Sequence, residues 1–234
     1  MTVVSTGRIA TLLSVTPQTP SIHTLRFDVP LKFIPGQSVQ VTFPGDTKKR
    51  YYSISSSPTE GPFVEITVKS EPGSPVGTAL SSLKKGDSLE FDGPLGGSLS
   101  LPDPVSGPIA FVAAGTGVTP FRSMIRYLID DSVPADFWLF HSVRAQADLL
   151  FRNDFSSWSK SHKAFHYVPT LTGTAEKDWA NETGRINDAL IHKHVAGSSC
   201  TFLLCGPSTF VHEMDLALRQ KLKIPASHIR REKW

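Results

Sequence analysis

From Ile9 to Asp92, apolar and polar residues alternate in short runs, and glycine or proline interrupts them roughly every eight to twelve positions. Ile9 and Leu13, then Ile22, Leu25 and Phe27, predict two strands flanking a turn at Thr16-Pro17-Gln18-Thr19-Pro20. Ser38–Phe43, Tyr51–Ser55, Phe63–Lys69 and Ser88–Asp92 predict four more. A period of two sends successive side chains to opposite faces, and many short strands at this spacing predict an antiparallel barrel or sandwich. Gly77–Leu83 is the helical candidate of this half, a turn or two long.

After Leu101-Pro102-Asp103-Pro104 the period changes. Pro108–Ala114, Phe137–Val143, Ala164–Thr170 and Cys200–Cys205 have the composition of buried strands. Between and after them, helical spacing marks Thr119 to about Ile129, Leu149–Trp158, Arg185–His194 and Ser208–Leu222, the last with Phe210, Met214, Leu218 and Leu222 on one face. Strands alternating with helices predict a doubly wound parallel sheet with right-handed crossovers. The prolines of residues 102–108 therefore separate a domain at 1–103 from one at 104–234.

Composition narrows the function classes. Hydrophobic content of 39% and charged content of 19% are ordinary for a globular chain, and a net charge of +3 gives no basic face for nucleic acid. No apolar run approaches the ~20 residues that span a bilayer. Cys200 and Cys205 are too few for a disulfide framework or a four-cysteine metal or iron–sulfur site, so a reducing compartment is expected, cytoplasm or mitochondrial matrix. Residues 1–27 carry Arg8 and Arg26 and no acid, as a transit peptide would, but their strand pattern predicts a segment retained in the fold. The eight histidines show no metal-ligand spacing, and no Gly-x-Ser-x-Gly elbow points to a hydrolase. His141, ending a strand, reads as structural.

Two segments carry chemistry. Arg50-Tyr51-Tyr52-Ser53 places a guanidinium fork suited to phosphate, aromatic planes and a hydroxyl on one short strand. Gly115-Thr116-Gly117, after an apolar strand and before a helix, lets backbone amides approach a pyrophosphate at a helix N-terminus. Cys205, at the end of another strand, lies where ligands bind open α/β sheets.

These motifs, in this order, resemble the ferredoxin–NADP reductase family: Pro35-Gly36-Gln37, Arg50-x-Tyr52-Ser53, Gly77-Thr78-Ala79-Leu80, Lys85-Gly86-Asp87, Gly93-Pro94-Leu95-Gly96, Gly115-x-Gly117-x-x-Pro120, Cys205-Gly206-Pro207 and Glu232-Lys233-Trp234. A narrower likeness is to the oxidoreductase NAD-binding domain-containing proteins, some of them mitochondrial. The family resemblance implies an N-terminal antiparallel flavin-binding barrel, a C-terminal nucleotide domain, and hydride transfer from NAD(P)H to flavin in a cleft between them. It implies that Arg50, Tyr51, Tyr52, Ser53 and Val68 contact the flavin, with free amides of Gly77 and Thr78 on its pyrophosphate. Gly115, Thr116, Gly117, Thr119, Gly206 and Pro207 would hold the nicotinamide nucleotide. Cys205 would stand beside the nicotinamide, Glu232 near Ser53 as a proton carrier, and Trp234 over the flavin. Similarity of residues 77–97 to dihydroorotate dehydrogenase electron-transfer subunits implies FAD over FMN.

NADP-using relatives carry a Ser-Arg pair after the third parallel strand. Here Thr170-Leu171-Thr172 follows, and Arg144 is the only cation expected nearby, which favours NADH while leaving NADPH possible. The electron acceptor is open, a redox protein among the options. An electron-transfer subunit that needs a partner and a non-catalytic nucleotide-binding module are the alternative readings.

Overall fold

The computed structural model describes residues 7–43, 48–71, 73–195 and 199–233. The chain divides into two compact units, Met1–Ser100 with Thr119–Asp130, and Leu101–Val118 with Asp131–Trp234. The unit boundary near residue 100 lies close to the proline-rich stretch. Helix Thr119–Asp130, however, packs with the first unit, although its sequence position is in the second.

The first unit contains strands β1 (Arg8–Thr19), β2 (Ile22–Asp28), β3 (Ser38–Thr42), β4 (Arg50–Ser53) and β5 (Phe63–Lys69), helix α1 (Pro75–Ser82), strand β6 (Ser88–Leu95) and helix α2 (Thr119–Asp130). The strands form one antiparallel sheet in the order β4-β3-β6-β1-β2-β5. Its ends meet where Ile54 bridges Ile66, which curls the sheet into a barrel. Inward positions fill the interior with fully buried Leu12, Leu25, Phe27, Val39, Ile66 and Phe91, and the rings of Phe27 and Phe91 meet edge-on at 4.8 Å.

One turn differs from the sequence expectation. Strand β1 continues through Pro17, and the reversal is at Pro20-Ser21. Strand β6 pairs only with Arg8–Thr11, so Pro17 has a partner on one side alone, and the β1–β2 ladder shifts register between Pro17 and Thr19. A proline is tolerated at such a position because no second ladder needs its missing N–H.

The second unit contains β7 (Ile109–Ala114), β8 (Phe137–Val143), α3 (Arg152–Ser161), β9 (Phe165–Leu171), β10 (Glu182–Thr183), α4 (Asp188–His194), β11 (Thr201–Gly206), α5 (Ser208–Gln220) and β12 (Ile229–Lys233). Its parallel sheet runs β10-β9-β8-β7-β11-β12. Chain order therefore reverses between β7 and β11. Helix α3 starts later than periodicity predicts, because Phe151 takes a left-handed φ of 53° just before it. Asn187 sets the start of α4 by accepting the Leu190 N–H at 2.8 Å. Strand β12 has no apolar run to announce it. Its residues Arg230, Arg231, Glu232 and Lys233 suit an edge strand, and Arg231 pairs with buried Asp215 of α5 at 2.5 Å.

Gly36 sits at φ +97°, where an added Cβ would lie 1.9 Å from the Leu99 carbonyl oxygen and 2.5 Å from Met124 of α2. The carbonyl cannot move aside as a flexible side chain would. Gly36→Ala is expected to lower stability by at least ~2 kcal/mol. Urea unfolding followed by tryptophan fluorescence should show a lower midpoint at unchanged slope.

Candidate functional site

Strand β4 pairs with β3 in the register Ser38↔Ser53, Val39↔Tyr52, Gln40↔Tyr51 and Val41↔Arg50. Tyr52 is half-buried against the barrel core, its ring edge-on to Phe43 at 5.9 Å. Tyr51 is 66% exposed and presents the open aromatic plane of the pair. Arg50 and Ser53 are half-buried. The chain beyond Ser53 is held at each residue: the Ile54 N–H donates to Gln37 O at 2.9 Å and the Ser55 N–H to Glu65 O at 2.8 Å, while Ser56 Oγ accepts the Glu65 N–H at 2.9 Å. Ser55, Ser56 and Ser57 are fully buried, so water does not compete for these bonds. Ser53 thus stands at the start of a rigid segment.

Helix α1 begins at an N-cap, Ser74, which is committed to its own first turn. Ser74 Oγ accepts the Gly77 N–H at 3.0 Å and Ser74 O accepts the Thr78 N–H at 2.9 Å. The expected free amides of Gly77 and Thr78 are therefore engaged, because a short polar side chain precedes the helix and satisfies them. Val76 keeps its N–H outside these bonds. Gly77 is required for space, since a Cβ there would stand 2.4 Å from Glu71 O. Val68 is fully buried in the barrel core, so its side chain packs inward and only its backbone is available to a ligand.

In the second unit, β7 ends in the one-turn segment Gly115–Val118 at the reversal point of the sheet. Gly115 has φ +55° with open space where a Cβ would be, and Gly117 presses its Cα against β11, a Cβ there falling 2.2 Å from Cys205 O. Thr116 is half-buried. Gly206, at φ +154°, fits between the Phe210 ring and Ala114. Exposed Pro207 opens α5. Thr119, the first residue of α2 in the other unit, is 5% exposed.

A cavity of about 550 Å³ opens at the carboxyl edge of this sheet, lined by Gly115, Arg144, Asn187, Pro207, Phe210 and Met214 among others. Arg185 and Lys221 line it too, which corrects the expectation that Arg144 is the only cation nearby. Both added cations face carboxylates of the same cavity: Lys221 binds Asp188 at 2.8 Å, and Arg185 lies 3.8 Å from Glu213. Sequence reasoning missed them because they arrive on α5 and on the approach to α4, not on the strand ends.

Burial shifts two acids here toward their neutral forms. Cys205 is fully buried, and its thiol is pushed well above the usual range by loss of solvation and by the neighbouring Glu232. That neighbour is its ladder partner on β12, and desolvation raises the Glu232 carboxyl above its usual value. A protonated thiol is a poor nucleophile, so Cys205 offers shape and polarizability. His141 is fully buried on β8, with Nε2 3.1 Å from Gly115 O. Its Nδ1 has no partner, and burial lowers its pKa to about 4. The neutral ring donates to the Gly115 carbonyl and so helps fix the glycine turn. The expectation for Trp234 falls outside the described residues.

The residues fit the two cofactors. A fork, aromatic planes and a hydroxyl on β4 match a flavin, and a glycine turn pressed against a cavity at the sheet's reversal point matches a dinucleotide.

Two outcomes test this geometry. Gly117→Ala must displace the turn from Cys205 O, and is expected to raise the Kd for NAD(H) at least ~10-fold, about 1.4 kcal/mol, in fluorescence titration with flavin content unchanged. His141 stays neutral in the fold while its unfolded form gains a proton below about pH 6.5, so stability falls as pH drops from there toward 4. His141→Gln should lose ~3 kcal/mol less than wild type over that window in urea titrations at each pH.

Two family descriptions match the chain: the oxidoreductase FAD-binding domain over residues 10–98 and the oxidoreductase NAD-binding domain over residues 111–215. The reductase subunit of an Amycolatopsis aromatic O-demethylase is 31% identical over 210 residues, covering 88% of this chain and 62% of that protein. The chain thus spans about three fifths of that relative's length. Ferredoxin–NADP reductase B of Sorangium cellulosum is 29% identical over 238 residues, with 96% of each chain covered. The crystal structure of the Amycolatopsis reductase GcoB superposes with a TM-score of 0.85 at 29% identity, covering 97% of this chain and 69% of that one. With an FAD-binding domain followed by an NAD-binding domain, this chain belongs to the ferredoxin–NADP reductase-like family of flavin oxidoreductases.

Proposed function

We propose that this chain takes a hydride from NADH, with NADPH the poorer donor, passes it to FAD, and delivers the electrons to a separate acceptor. The observation that carries this reading is the presence in one chain of the Arg50–Ser53 strand and of a glycine turn pressed onto Cys205 O at the reversal point of its own sheet. The domain assignment follows: residues 1–103 for FAD and 104–234 for NAD(P)H.

FAD, when bound, accepts the hydride and releases electrons singly or in pairs. The chain supplies position and electrostatics. Arg50 neutralises phosphate, Tyr51 and Tyr52 offer planes to the ring system, and Ser53 donates a hydrogen bond at the nitrogen that receives the hydride. Gly77 would serve the flavin pyrophosphate once that group takes over the role of Ser74 Oγ, with Thr78, whose N–H stays on Ser74 O, beside it in the same first turn. Gly115, Thr116 and Gly117 take the pyrophosphate of the dinucleotide, with Gly206 and Pro207 flanking it and Thr119 against the nicotinamide. The Cys205 thiol would stand beside that ring, and Glu232, whose pKa burial raises, would hold or release a proton at its carboxyl oxygens.

NADH is favoured because each added cation of the cavity already has a carboxylate. Asp188 and Glu213 would face a 2′-phosphate with like charge, whereas a ribose hydroxyl accepts such neighbours. The acceptor is proposed to be a redox protein, since the Amycolatopsis relative is named a reductase subunit. Among the described residues no helix is long and apolar enough to cross a membrane. Both cysteines are free and buried, which supports a reducing compartment, cytoplasm or mitochondrial matrix.

The purified protein should show flavin absorbance that bleaches on anaerobic addition of NADH. Ser53→Ala should retain FAD yet be reduced roughly tenfold more slowly, as loss of a hydrogen bond of about 1.5 kcal/mol implies. A flavin that neither nucleotide reduces would refute the reading, and a kcat/KM for NADPH more than tenfold above NADH would refute the coenzyme preference.

A further inference from the structure

Arg122 lies on α2, one turn beyond Thr119, and is 7% exposed. Its guanidinium donates from Nη1 to Ser55 O at 2.9 Å, and takes both carboxylate oxygens of Glu60, Nη1 to Oε2 at 3.1 Å and Nη2 to Oε1 at 3.2 Å. Glu65 Oε2 lies 3.6 Å from the same Nη1. The acids are tied onward. Glu60 Oε2 accepts the Ser57 N–H at 2.7 Å, and Glu65 Oε1 accepts from Arg26 Nε at 2.8 Å, while Arg26 itself caps the Phe63 ring at 4.1 Å. Two further contacts moor α2 along its length: Thr59 Oγ1 donates to Asp130 Oδ2 at 2.5 Å, and Met124 packs on Gly36. Every one of these residues belongs to the first unit.

A buried ion pair is a weak way to gain stability, because desolvating both charges offsets most of their attraction, and apolar side chains of similar volume do as well. What such a pair does well is fix geometry. The bidentate Arg122–Glu60 fork, with a third bond to a backbone carbonyl, allows a single orientation of α2 against the segment that follows Ser53. Ser53 and Thr119 are the residues placed beside the two reacting centres. We propose that Arg122 is a positioning residue for hydride transfer, holding Thr119 at a fixed distance from Ser53 by clamping α2 to residues 55–60. The residue facing the hydride donor is thereby built into the flavin unit. The inference rests on the function proposed above. Transfer rates fall steeply when reacting atoms are displaced by a fraction of an ångström to an ångström, so a clamp of this kind acts on rate more than on binding.

The test is anaerobic stopped-flow reduction of the FAD-loaded protein by NADH, with thermal unfolding in parallel, for wild type, Arg122→Met, Glu60→Met, the double variant and Arg122→Lys. Arg122→Met strands the Glu60 carboxylate and should unfold at lower temperature, while Glu60→Met leaves Arg122 with Glu65 as its remaining carboxylate and should lose less. The double variant removes both charges and should regain most of that loss. We expect it nevertheless to reduce its flavin at least tenfold more slowly at saturating NADH, with the NADH concentration for half-maximal rate changed less than threefold. Arg122→Lys keeps the charge without the planar fork and should fall between wild type and the double variant. If the double variant is stable and reduces at the wild-type rate, the network is structural only and the proposal fails. If the double variant does not fold or hold FAD, a wild-type rate in Arg122→Lys overturns the proposal and a slowed one supports it. A wild type that neither nucleotide reduces overturns the parent reading, a result separable from failure of the clamp alone.

Discussion

At the junction of β7 and β11 backbone meets backbone. A Cβ on Gly117 would stand 2.2 Å from Cys205 O, so the turn after β7 and the end of β11 are in contact with no side chain between them. This is the reversal point of the sheet, the position at which open α/β sheets form a ligand crevice. The close approach brings Gly115, Cys205, Gly206 and Pro207 to one place from sequence positions far apart. It also explains the buried His141, whose neutral ring satisfies the Gly115 carbonyl that the left-handed turn points inward. The candidate nucleotide site is thus built from packing first and from chemistry second.

The barrel solves a different problem. Its candidate ligand strand, Arg50–Ser53, lies at one end of the sheet order and would be a pliable edge if left alone. Closure at Ile54 and Ile66, the buried serines 55–57 and the Arg122 network convert that edge into a rigid segment. Hydroxyls are suited to this task because they bond backbone groups at short range without carrying charge into the interior. The ionic part of the network includes Arg26, Glu60, Glu65 and Arg122, where each charge has an opposite partner.

Charge is disfavoured where β11 meets β12 in the second unit. Cys205 and Glu232, ladder partners on adjacent strands, are both shifted toward their neutral forms by burial. A low-dielectric wall strengthens whatever electrostatic contact a ligand makes there. The cations of the cavity stand further out, on Arg144, Arg185 and Lys221, and two of them are matched by acids. The charged lining of the cavity and the desolvated Cys205–Glu232 pair thus lie on different residues of the second unit.

Much of this was legible in the sequence. Period-two runs give the barrel, alternating strands and helices give the parallel sheet, and β5 and β8 match their predicted limits because their apolar pattern is local. The motif glycines and the Arg50–Ser53 strand were also legible, since turn and strand chemistry depend on neighbouring residues. Strand β12 was not, because an edge strand of charged residues is stabilised by its partner β11 and by Asp215, not by its own composition. Nor was the capping of Gly77 and Thr78 by Ser74, the arrival of Arg185 and Lys221 at the cavity, or the packing of α2 with the barrel. Sequence by itself determined the order of folds and the candidate residues for the chemistry, because both follow from local pattern. Tertiary structure alone decided which of them meet, because desolvation, ladder register and the pairing of buried charges join residues that the chain keeps far apart.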